Sequence, residues 1–295
     1  MDGVPPGALL LRPLTKEDLP PLLALARAQG RNVTEQEYER FLSLEGARAF
    51  VITRDGALLG AATAMRYYEH GFLGPLLLRD DEQAASTAAT GVAIALLAQL
   101  IERIQSEGVH VIEAEAAGVE ELILGRMGFE VVRRTLVLER PGAPARGFAG
   151  SLPMEDQHLL DVGALDADVV GYGRKEYLLA LRRDMPDGAR VVERDGDVVG
   201  FVLLRRAPRG YHLGPLVTRA GDSDAAGMLV QDALAATAGA PVVALAPDEA
   251  PVIALLEKEG FRRVGELARM RAGGADAPGT RAPATQWALG GRITG

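Results

Sequence analysis

The chain has 295 residues, of which 48% are hydrophobic and 24% are charged, and its net charge at pH 7 is −8. This length suffices for two ordinary globular domains. An acidic chain without a basic stripe argues against sequence-independent binding of nucleic acid. Because the sequence holds no cysteine, it excludes disulfides, thiol nucleophiles and thiolate metal sites.

The location of the protein is predicted from what the sequence lacks. No run of about 18 apolar residues occurs, so no membrane-spanning helix is expected. The N-terminal stretch MDGVPPGALLLRPL has an acidic start and no basic region before a long apolar core, so no signal peptide is expected. We therefore expect a cytoplasmic protein. The 4 histidines are far apart and show no ligand spacing, so no metal is expected.

The first half of the chain predicts a strand, two helices, three antiparallel strands, a long helix and a closing strand–helix–strand unit. Thr15 and Asp18 form a capping-box pattern at the first helix, and Thr34 marks the start of the second. Asp55-Gly56 predicts a hairpin turn, since Asp-Gly readily adopts positive φ. Pro75 predicts a bulge or a stop in strand pairing, since proline lacks a ladder donor.

The second half repeats this order. Arg54-Asp55-Gly56 recurs as Arg194-Asp195-Gly196, and Gly74-Pro75-Leu76 recurs as Gly214-Pro215-Leu216, each 140 residues later. About a dozen positions align without a gap, which predicts a duplicated domain. The Pro-, Gly- and Ala-rich stretch 142–153 is the expected linker between an N-terminal domain, 1–141, and a C-terminal domain, 154–295.

Each copy resembles a GCN5-related N-acetyltransferase (GNAT) domain. LLLRPLTKEDLPPLLALA is similar to the family's opening strand and helix, RDGALLGAA to its hairpin, and LGRMGFEVV to its closing helix and strand. The resemblance implies an α/β (α+β) fold with two tandem GNAT-like domains, each a mixed, mostly antiparallel twisted sheet flanked by helices. It also implies that acetyl-CoA is the cosubstrate and that its acetyl group moves to an amine.

The resemblance implies a cofactor site in the first copy. In the family, pantetheine lies against exposed strand backbone, and the pyrophosphate binds amides of a Q/R-x-x-G-x-G/A turn at a helix start, where the dipole favours an anion. In AATGVA, Gly91 and Ala93 fill the small positions, but Ala88 replaces Gln or Arg. The expected cofactor-binding residues are Leu76, Leu77, Leu78, Ala88, Ala89, Thr90, Gly91, Val92 and Ala93. A plain helix start, capped by Ser86 or Thr87, is the alternative.

The second copy is expected to have lost the cofactor and to serve as a scaffold. Its counterpart turn, DSDAAGMLVQDAL, has Gly227 but carries Leu229 where a small residue is needed. The C-terminal Trp287 is expected in an extra strand of this copy's sheet, as a core residue.

Acetyl transfer needs a base, and the predicted catalytic residues are Glu113, Glu115 and Tyr68. Alternation along the strand VIEAEA places both glutamates on one face, and Tyr68 lies at the hairpin end RYYEH. An amide of Leu77 or Leu78 would polarise the thioester carbonyl. The tyrosine acid of the family is absent, because Leu124 and Leu256 stand at its positions.

Two main functions follow from these patterns. The first is an acetyl-CoA-dependent N-acetyltransferase acting on a primary amine of a small molecule; an aminoacyl group or a peptide N-terminus is a further possible acceptor. The alternative is a catalytically inactive tandem GNAT scaffold or ligand-binding protein. We expect a monomer with pseudo-dimeric domains or a homodimer.

Overall fold

The computed structural model describes residues 7–79, 87–144, 147–274 and 284–292, which form two compact units. Of these residues, unit 1 contains those up to Val131, with Met270–Gly273 and Arg292, and unit 2 contains Val132–Arg269 and those from Gly274 to Gly291. The division therefore passes through the last strand of each sequence copy. The predicted domains follow the repeat, whereas the compact units do not.

Unit 1 is a mostly antiparallel sheet with helices, in agreement with the predicted fold class. Its elements are β1 (Leu9–Pro13), α1 (Leu19–Ala28), α2 (Glu35–Ser43), β2 (Ala47–Arg54), β3 (Ala57–Tyr67), β4 (His70–Leu73), β5 (Leu77–Leu78), α3 (Thr87–Ser106), β6 (Val111–Ala116), α4 (Val119–Arg126) and the start of β7 (Glu130–Arg140). The strand order is β1-β2-β3-β4-β6, with β5 on β3. Only the β4–β6 pairing is parallel among these.

Unit 2 repeats this plan with additional strands. Its elements are the rest of β7, then β8 (Leu152–Pro153), α5 (Leu159–Val170), α6 (Lys175–Asp184), β9 (Arg190–Arg194), β10 (Asp197–Ala207), β11 (Gly210–Arg219), α7 (Ser223–Ala236), β12 (Val242–Pro247), α8 (Ala250–Lys258), β13 (Arg262–Ala272) and β14 (Ala284–Ala288). The strand order is β13-β7-β12-β11-β10-β9-β8, and β14 pairs with β11.

Local sequence signals produce the elements they predict. Thr15 N–H donates to Asp18 Oδ2 at 2.9 Å in the 3-10 turn Lys16–Asp18 that leads into α1, and Thr34 Oγ1 accepts from Glu37 N–H at 3.1 Å at the start of α2. The turn between β2 and β3 has φ of 50° at Asp55 and 78° at Gly56. Positive φ at both central residues is the geometry that suits a tight hairpin, and glycine adopts it without strain.

The Gly-Pro-Leu repeat has a different outcome in each unit. In unit 1 it interrupts the strand, since β4 ends at Leu73 and β5 begins at Leu77. In unit 2, β11 runs unbroken from Gly210 to Arg219, but its register against β10 shifts at Gly214-Pro215, two residues that lie opposite the single residue between Val202 and Leu204. Both outcomes agree with the expected loss of a ladder donor at proline.

The closing strands are partly exchanged: most of β7 belongs to unit 2, and the end of β13 belongs to unit 1. From Val132 onward β7 belongs to unit 2, where it pairs antiparallel with β12 from Val242↔Arg140 to Pro247↔Thr135. Leu136 and Leu138 of this strand are buried in the unit 2 core. Conversely, Met270–Gly273 belongs to unit 1, where a Cβ on Gly273 would lie 2.0 Å from the His110 carbonyl oxygen. Only glycine allows so close an approach.

Among the described residues, no helix has both the length and the apolar character needed to cross a membrane.

Candidate active site

The candidate site lies in unit 1 where β4 and β6 part. These strands pair from His70↔Val111 to Leu73↔Ala114, and the chain then leaves β4 through Gly74-Pro75-Leu76. Beyond the break, β5 pairs with β3 through Gly60↔Leu78 and Ala61↔Leu77. β5 hydrogen-bonds to β3, so it does not continue the pairing between β4 and β6. Leu76, Leu77 and Leu78, whose backbone is predicted to bind the cofactor, lie at this break.

The backbone at the break is bound by two polar side chains. Leu76 N–H donates to Glu120 Oε1 at 2.9 Å, in a buried bond. Gln29 Nε2 donates to the Leu78 carbonyl oxygen. Arg79 N–H bonds to the Leu59 carbonyl on β3 at 2.8 Å, so the preceding residue, Leu78, turns its backbone groups away from β3. Of the three predicted leucines, Leu76 therefore has its amide occupied by a carboxylate.

Glu113 forms an ion pair with an arginine from the end of β13. Arg271 donates through Nε at 3.0 Å and Nη2 at 2.7 Å to Glu113 Oε1. Glu113 is only 6% exposed and lies opposite Phe72, where β4 and β6 still pair. Burial lowers the pKa of the neighbouring His70, with Glu113 opposing the shift and Arg271 adding to it. The carboxylate of Glu113 is thus fixed by a cation within the paired part of the strands.

Glu115 lies two residues further along β6, past the last β4–β6 pair. Its side chain is 2% exposed, so it is not on a solvated face. Its carbonyl oxygen accepts a hydrogen bond from Arg292 Nη2 at 2.8 Å. Both predicted glutamates on β6 are therefore buried beside arginines that come from the last part of the chain.

A third glutamate, Glu120 in the first turn of α4, completes the cluster. It is 8% exposed, and burial raises its pKa to about 7, against the lowering effects of the Leu76 N–H and the charge of Arg31. Arg292 Nη2 lies 2.9 Å from Glu120 Oε2. An ion pair favours the charged form, so Arg292 opposes the effect of burial as well.

Tyr68, the third predicted catalytic residue, is not part of this cluster. It occupies the turn between β3 and β4, with φ of 54° and 75% exposure. The length of β4 separates this turn from the break at Gly74. The structure therefore brings Glu113 and Glu115 close to the break but leaves Tyr68 at the far end of the hairpin.

The predicted phosphate turn lies inside α3. The helix already includes Thr87, so Ala88–Ala93 are helical. Gly91 is exposed, and a Cβ there would meet no atom within 4 Å, whereas Val92 and Ala93 are buried. Only the first four amides of a helix lack intrahelical acceptors, so the donors available to an anion lie at or before Thr90. Residues 80–86, including Asp80, Asp81 and Glu82, lie outside the described residues.

In unit 2 the counterpart positions are filled by the chain itself. Leu216–Arg219 of β11, the counterparts of Leu76–Arg79, pair antiparallel with β14 from Leu216↔Ala288 to Arg219↔Ala284. Leu289 N–H then donates to the Leu245 carbonyl on β12 at 2.7 Å. The segment from β14 to Leu289 thus hydrogen-bonds to both β11 and β12, the two strands that separate in this unit.

The helix start of unit 2 is filled too. The Asp222 carboxylate accepts a hydrogen bond from Ala225 N–H at 3.0 Å, and it pairs with Arg194 at 2.8 Å. A protein carboxylate therefore occupies the position at the start of α7 where an anionic ligand would bind.

Sequence reasoning missed Gln29, Glu120, Arg271 and Arg292. Glu120 carries a weak local signal, a carboxylate in the first turn of a helix that follows Gly118. The two arginines carry none, because they lie 158 and 172 residues from Glu113 and Glu120. Within the described residues, no group of three or more His, Asp or Glu is arranged to hold a metal.

Each unit is a mostly antiparallel sheet with helices, as in the GNAT fold, and comparisons with known proteins agree with that fold. A sequence model of the acetyltransferase (GNAT) domain matches residues 162–283. A comparison with curated proteins gives no significant match. The predicted resemblance to tandem GNAT proteins is therefore confirmed by a family match in the second half of the chain and by the fold of the whole.

Three solved structures illustrate this fold. A Pyrococcus horikoshii protein, provisionally named an acetyltransferase, is 18% identical with a TM-score of 0.79, covering 100% of this chain and 99% of its own. A GCN5-related N-acetyltransferase from Sphaerobacter thermophilus is 16% identical with a TM-score of 0.65, covering 90% and 95%. A tandem GNAT protein from the clavulanic acid biosynthesis pathway is 16% identical with a TM-score of 0.64, covering 90% and 98%.

Proposed function

We propose that the protein is an acetyl-CoA-dependent N-acetyltransferase that acetylates a primary amine of a small molecule, with its active site in unit 1. The observation that carries this proposal is the strand break at Gly74-Pro75-Leu76, where the buried Glu120 binds the Leu76 amide and beside which β6 carries the buried Glu113 and Glu115. A deeply buried carboxylate whose pKa lies near neutrality suits proton transfer at neutral pH. A cytoplasmic location and a monomeric or homodimeric state remain predictions from the sequence.

The residues of unit 1 fit the cosubstrate better than those of unit 2. In unit 1 the strand is broken between β4 and β5, and Gly91 leaves open space on the exposed face of α3. In unit 2, β14 and Asp222 occupy the corresponding strand edge and helix start. We therefore propose that acetyl-CoA binds unit 1 through Leu77, Leu78 and the start of α3, and that unit 2 is a scaffold.

Acetyl-CoA, when bound, supplies a thioester whose C–S bond breaks as the amine nitrogen forms the new C–N bond. The substrate ammonium must first lose one proton to a carboxylate of the chain. A second proton passes from the nitrogen to the departing sulfur. An amide of Leu77 or Leu78 is proposed to polarise the thioester carbonyl.

One observation favours the alternative, an inactive scaffold. The Leu76 amide, a predicted cofactor contact, is already bound to Glu120. Together with Ala88 in place of Gln or Arg and Leu124 in place of the tyrosine acid, this leaves fewer contacts for the cosubstrate and the leaving thiolate.

A thiol-release assay separates the two functions. Since the chain has no cysteine, every thiol that appears comes from CoA. Acetyl-CoA is incubated with the protein and a panel of small amines, aminoacyl compounds and peptides with free N-termini. The proposal predicts thiol release that depends on one class of amine and exceeds slow hydrolysis. Binding of acetyl-CoA without amine-dependent release would instead favour the scaffold.

A further inference from the structure

We propose that Glu120 takes the proton from the substrate ammonium and that Arg292 is its positioning residue. The inference rests on the proposed function and assigns the base to a residue outside β6. It follows from the geometry around the strand break, where Glu120 is the glutamate bonded directly to the broken strand.

Two donors hold the Glu120 carboxylate at the break. Oε1 accepts from Leu76 N–H at 2.9 Å, and Oε2 accepts from Arg292 Nη2 at 2.9 Å. A carboxylate offers about four acceptor sites, so each oxygen keeps one lone pair available for a proton. The side chain is therefore fixed in place while it retains basic character.

Glu113 is less suited to this role. Two N–H groups of Arg271 converge on its Oε1, and it lies opposite Phe72 in the paired part of the strands. A substrate nitrogen at the strand break must lie beyond this pairing. Glu120 is hydrogen-bonded to Leu76 and therefore lies at the break itself.

Arg292 links β6 to the Glu120 carboxylate. Its Nη2 donates to the Glu115 carbonyl oxygen on β6 at 2.8 Å and to Glu120 on α4 at 2.9 Å. Nε also donates to the Glu115 carbonyl oxygen at 3.3 Å, so the planar guanidinium is fixed on β6 by two nitrogens while Nη2 contacts the Glu120 carboxylate. A lysine would keep the charge but not this planar arrangement of donors.

The charges around Glu120 set the direction of any pH effect. Glu120 faces three groups that favour its charged form, namely Arg31 from the segment after α1, Arg292 and the Leu76 amide. The other charged groups on neighbouring elements are Glu115 and Glu113 on β6, Arg271 paired with Glu113, and Glu121 on α4. Burial is the largest influence and raises the pKa of Glu120 to about 7. Removing the cation of Arg292 therefore moves this pKa further upward.

The proton balance is simple. The substrate R–NH3⁺ gives one proton to the ionised Glu120 and becomes R–NH2, which attacks the thioester. After acetyl transfer, Glu120 returns that proton to solvent. The net release is one proton for each amide formed, with the second proton kept on the CoA thiol.

The test combines three variants with pH profiles of kcat/KM for the best amine from the panel. We expect Glu120→Gln to lower kcat/KM by about 10²-fold or more, since positioned bases contribute about 10²–10⁴-fold, with the Kd for acetyl-CoA unchanged. Glu121→Gln, one residue further on the same helix, is the matched control and should stay within about twofold. Arg292→Gln should shift the acidic limb of the profile to higher pH yet retain activity well above that limb.

A purely structural role for Arg292 would lower kcat/KM equally at every pH, and that result would overturn its assignment. Activity of Glu120→Gln within about threefold of the parent would overturn the base assignment. Should Glu120→Gln fail to fold, Glu120→Asp keeps the carboxylate and must keep the acidic limb.

A second readout separates this inference from the proposed function. The carboxyl carbon of Glu120 is followed by ¹³C NMR titration in the parent chain and in Arg292→Gln. A midpoint near neutrality that rises in the variant supports the positioning contact, and an unmoved midpoint contradicts it. If the midpoint behaves as expected but no amine is acetylated, the proposed function fails and the base assignment with it, while the Arg292–Glu120 contact stands.

Discussion

At the scale of single residues, the two glutamates of β6 show how far a sequence pattern reaches. Alternation along VIEAEA is enough to select Glu113 and Glu115 as neighbours on one strand. Their burial and their arginine contacts could not be predicted, because Arg271 and Arg292 are brought to unit 1 by the fold of a distant segment. Glu120 could not be selected either, because its role depends on its contact with the broken strand at Leu76, which the sequence does not show.

The Glu113–Arg271 ion pair gives a prediction about stability. Replacing Arg271 with Gln leaves a carboxylate that is 6% exposed without its cation. Hydrogen bonds to charged groups contribute about 1.5–3 kcal/mol, so we expect the free energy of unfolding to fall by about 2 kcal/mol. The measurement is urea unfolding followed by circular dichroism at pH 7.

Arg219→Gln is the matched control for that measurement. Its ion pair with Asp197 is solvent-exposed, with side chains 52% and 67% accessible, so its loss should cost less than about 0.5 kcal/mol. Equal effects in the two variants would contradict the view that Arg271 is held by a buried partner.

At the scale of elements, the helices, strands and turns could be predicted from the sequence, but the pairing of strands that are distant in the sequence could not. The Asp-Gly hairpins, the capped helices and the effect of Gly-Pro all follow from local backbone preferences. An extra strand containing Trp287 was also expected, and β14 with its buried tryptophan confirms it. The position of β14 on β11 depends on which edge is left unpaired, and no local pattern specifies that.

The packing of β14 gives a second prediction. Trp287 is 2% exposed, and its Nε1–H donates to Thr218 Oγ1 at 2.8 Å. Trp287→Ala removes this bond and leaves a large cavity, so it should cost about 3–5 kcal/mol. Leu160→Ala is the control, since Leu160 is 77% exposed, and it should change stability by less than about 0.5 kcal/mol.

Thermal unfolding followed by circular dichroism measures both variants, because Trp287 is the only tryptophan and its removal abolishes the fluorescence signal. A loss below about 1 kcal/mol in Trp287→Ala would show that β14 is not an integral strand of unit 2.

At the scale of the whole molecule, the compact units and the sequence copies differ in their last strands. Val132–Arg140 is part of the first copy in sequence but belongs to unit 2, where it pairs with β12, and Met270–Gly273 is part of the second copy but belongs to unit 1. A repeat in sequence predicts that two similar folds exist. It does not predict which copy receives each closing strand, because both copies offer equivalent edges.

This exchange predicts that the two sequence copies are incomplete when separated. Residues 1–141 alone lack Arg271 and Arg292, and residues 154–295 alone lack the strand that pairs with β12. We expect each half to unfold at a lower denaturant concentration than the full chain and the halves to bind each other when mixed. Calorimetry and analytical ultracentrifugation measure these properties.

A shortened first half, residues 1–129, serves as the control for association, because it lacks β7 and should bind residues 154–295 more weakly. Two halves that were each as stable as the full chain and indifferent to each other would contradict the exchange of strands.

The family match and the candidate site also fall in different parts of the molecule. The acetyltransferase model matches residues 162–283, yet in unit 2 the strand edge and helix start are filled by β14 and Asp222. A fold can be retained where its binding function is lost, so the match alone does not locate the site. We therefore propose that acetyl-CoA binds unit 1.

The most direct test of that assignment is calorimetric titration of acetyl-CoA into the parent chain and into Gly91→Glu. The new side chain meets open space, so the fold should be unchanged, while its charge repels a pyrophosphate at the start of α3. Gly163→Glu, also with no neighbour within 4 Å but in unit 2, is the matched control. We predict about micromolar binding by the parent and the control, weakened at least tenfold in Gly91→Glu. Equal binding by all three, or no binding by the folded parent, would contradict the account.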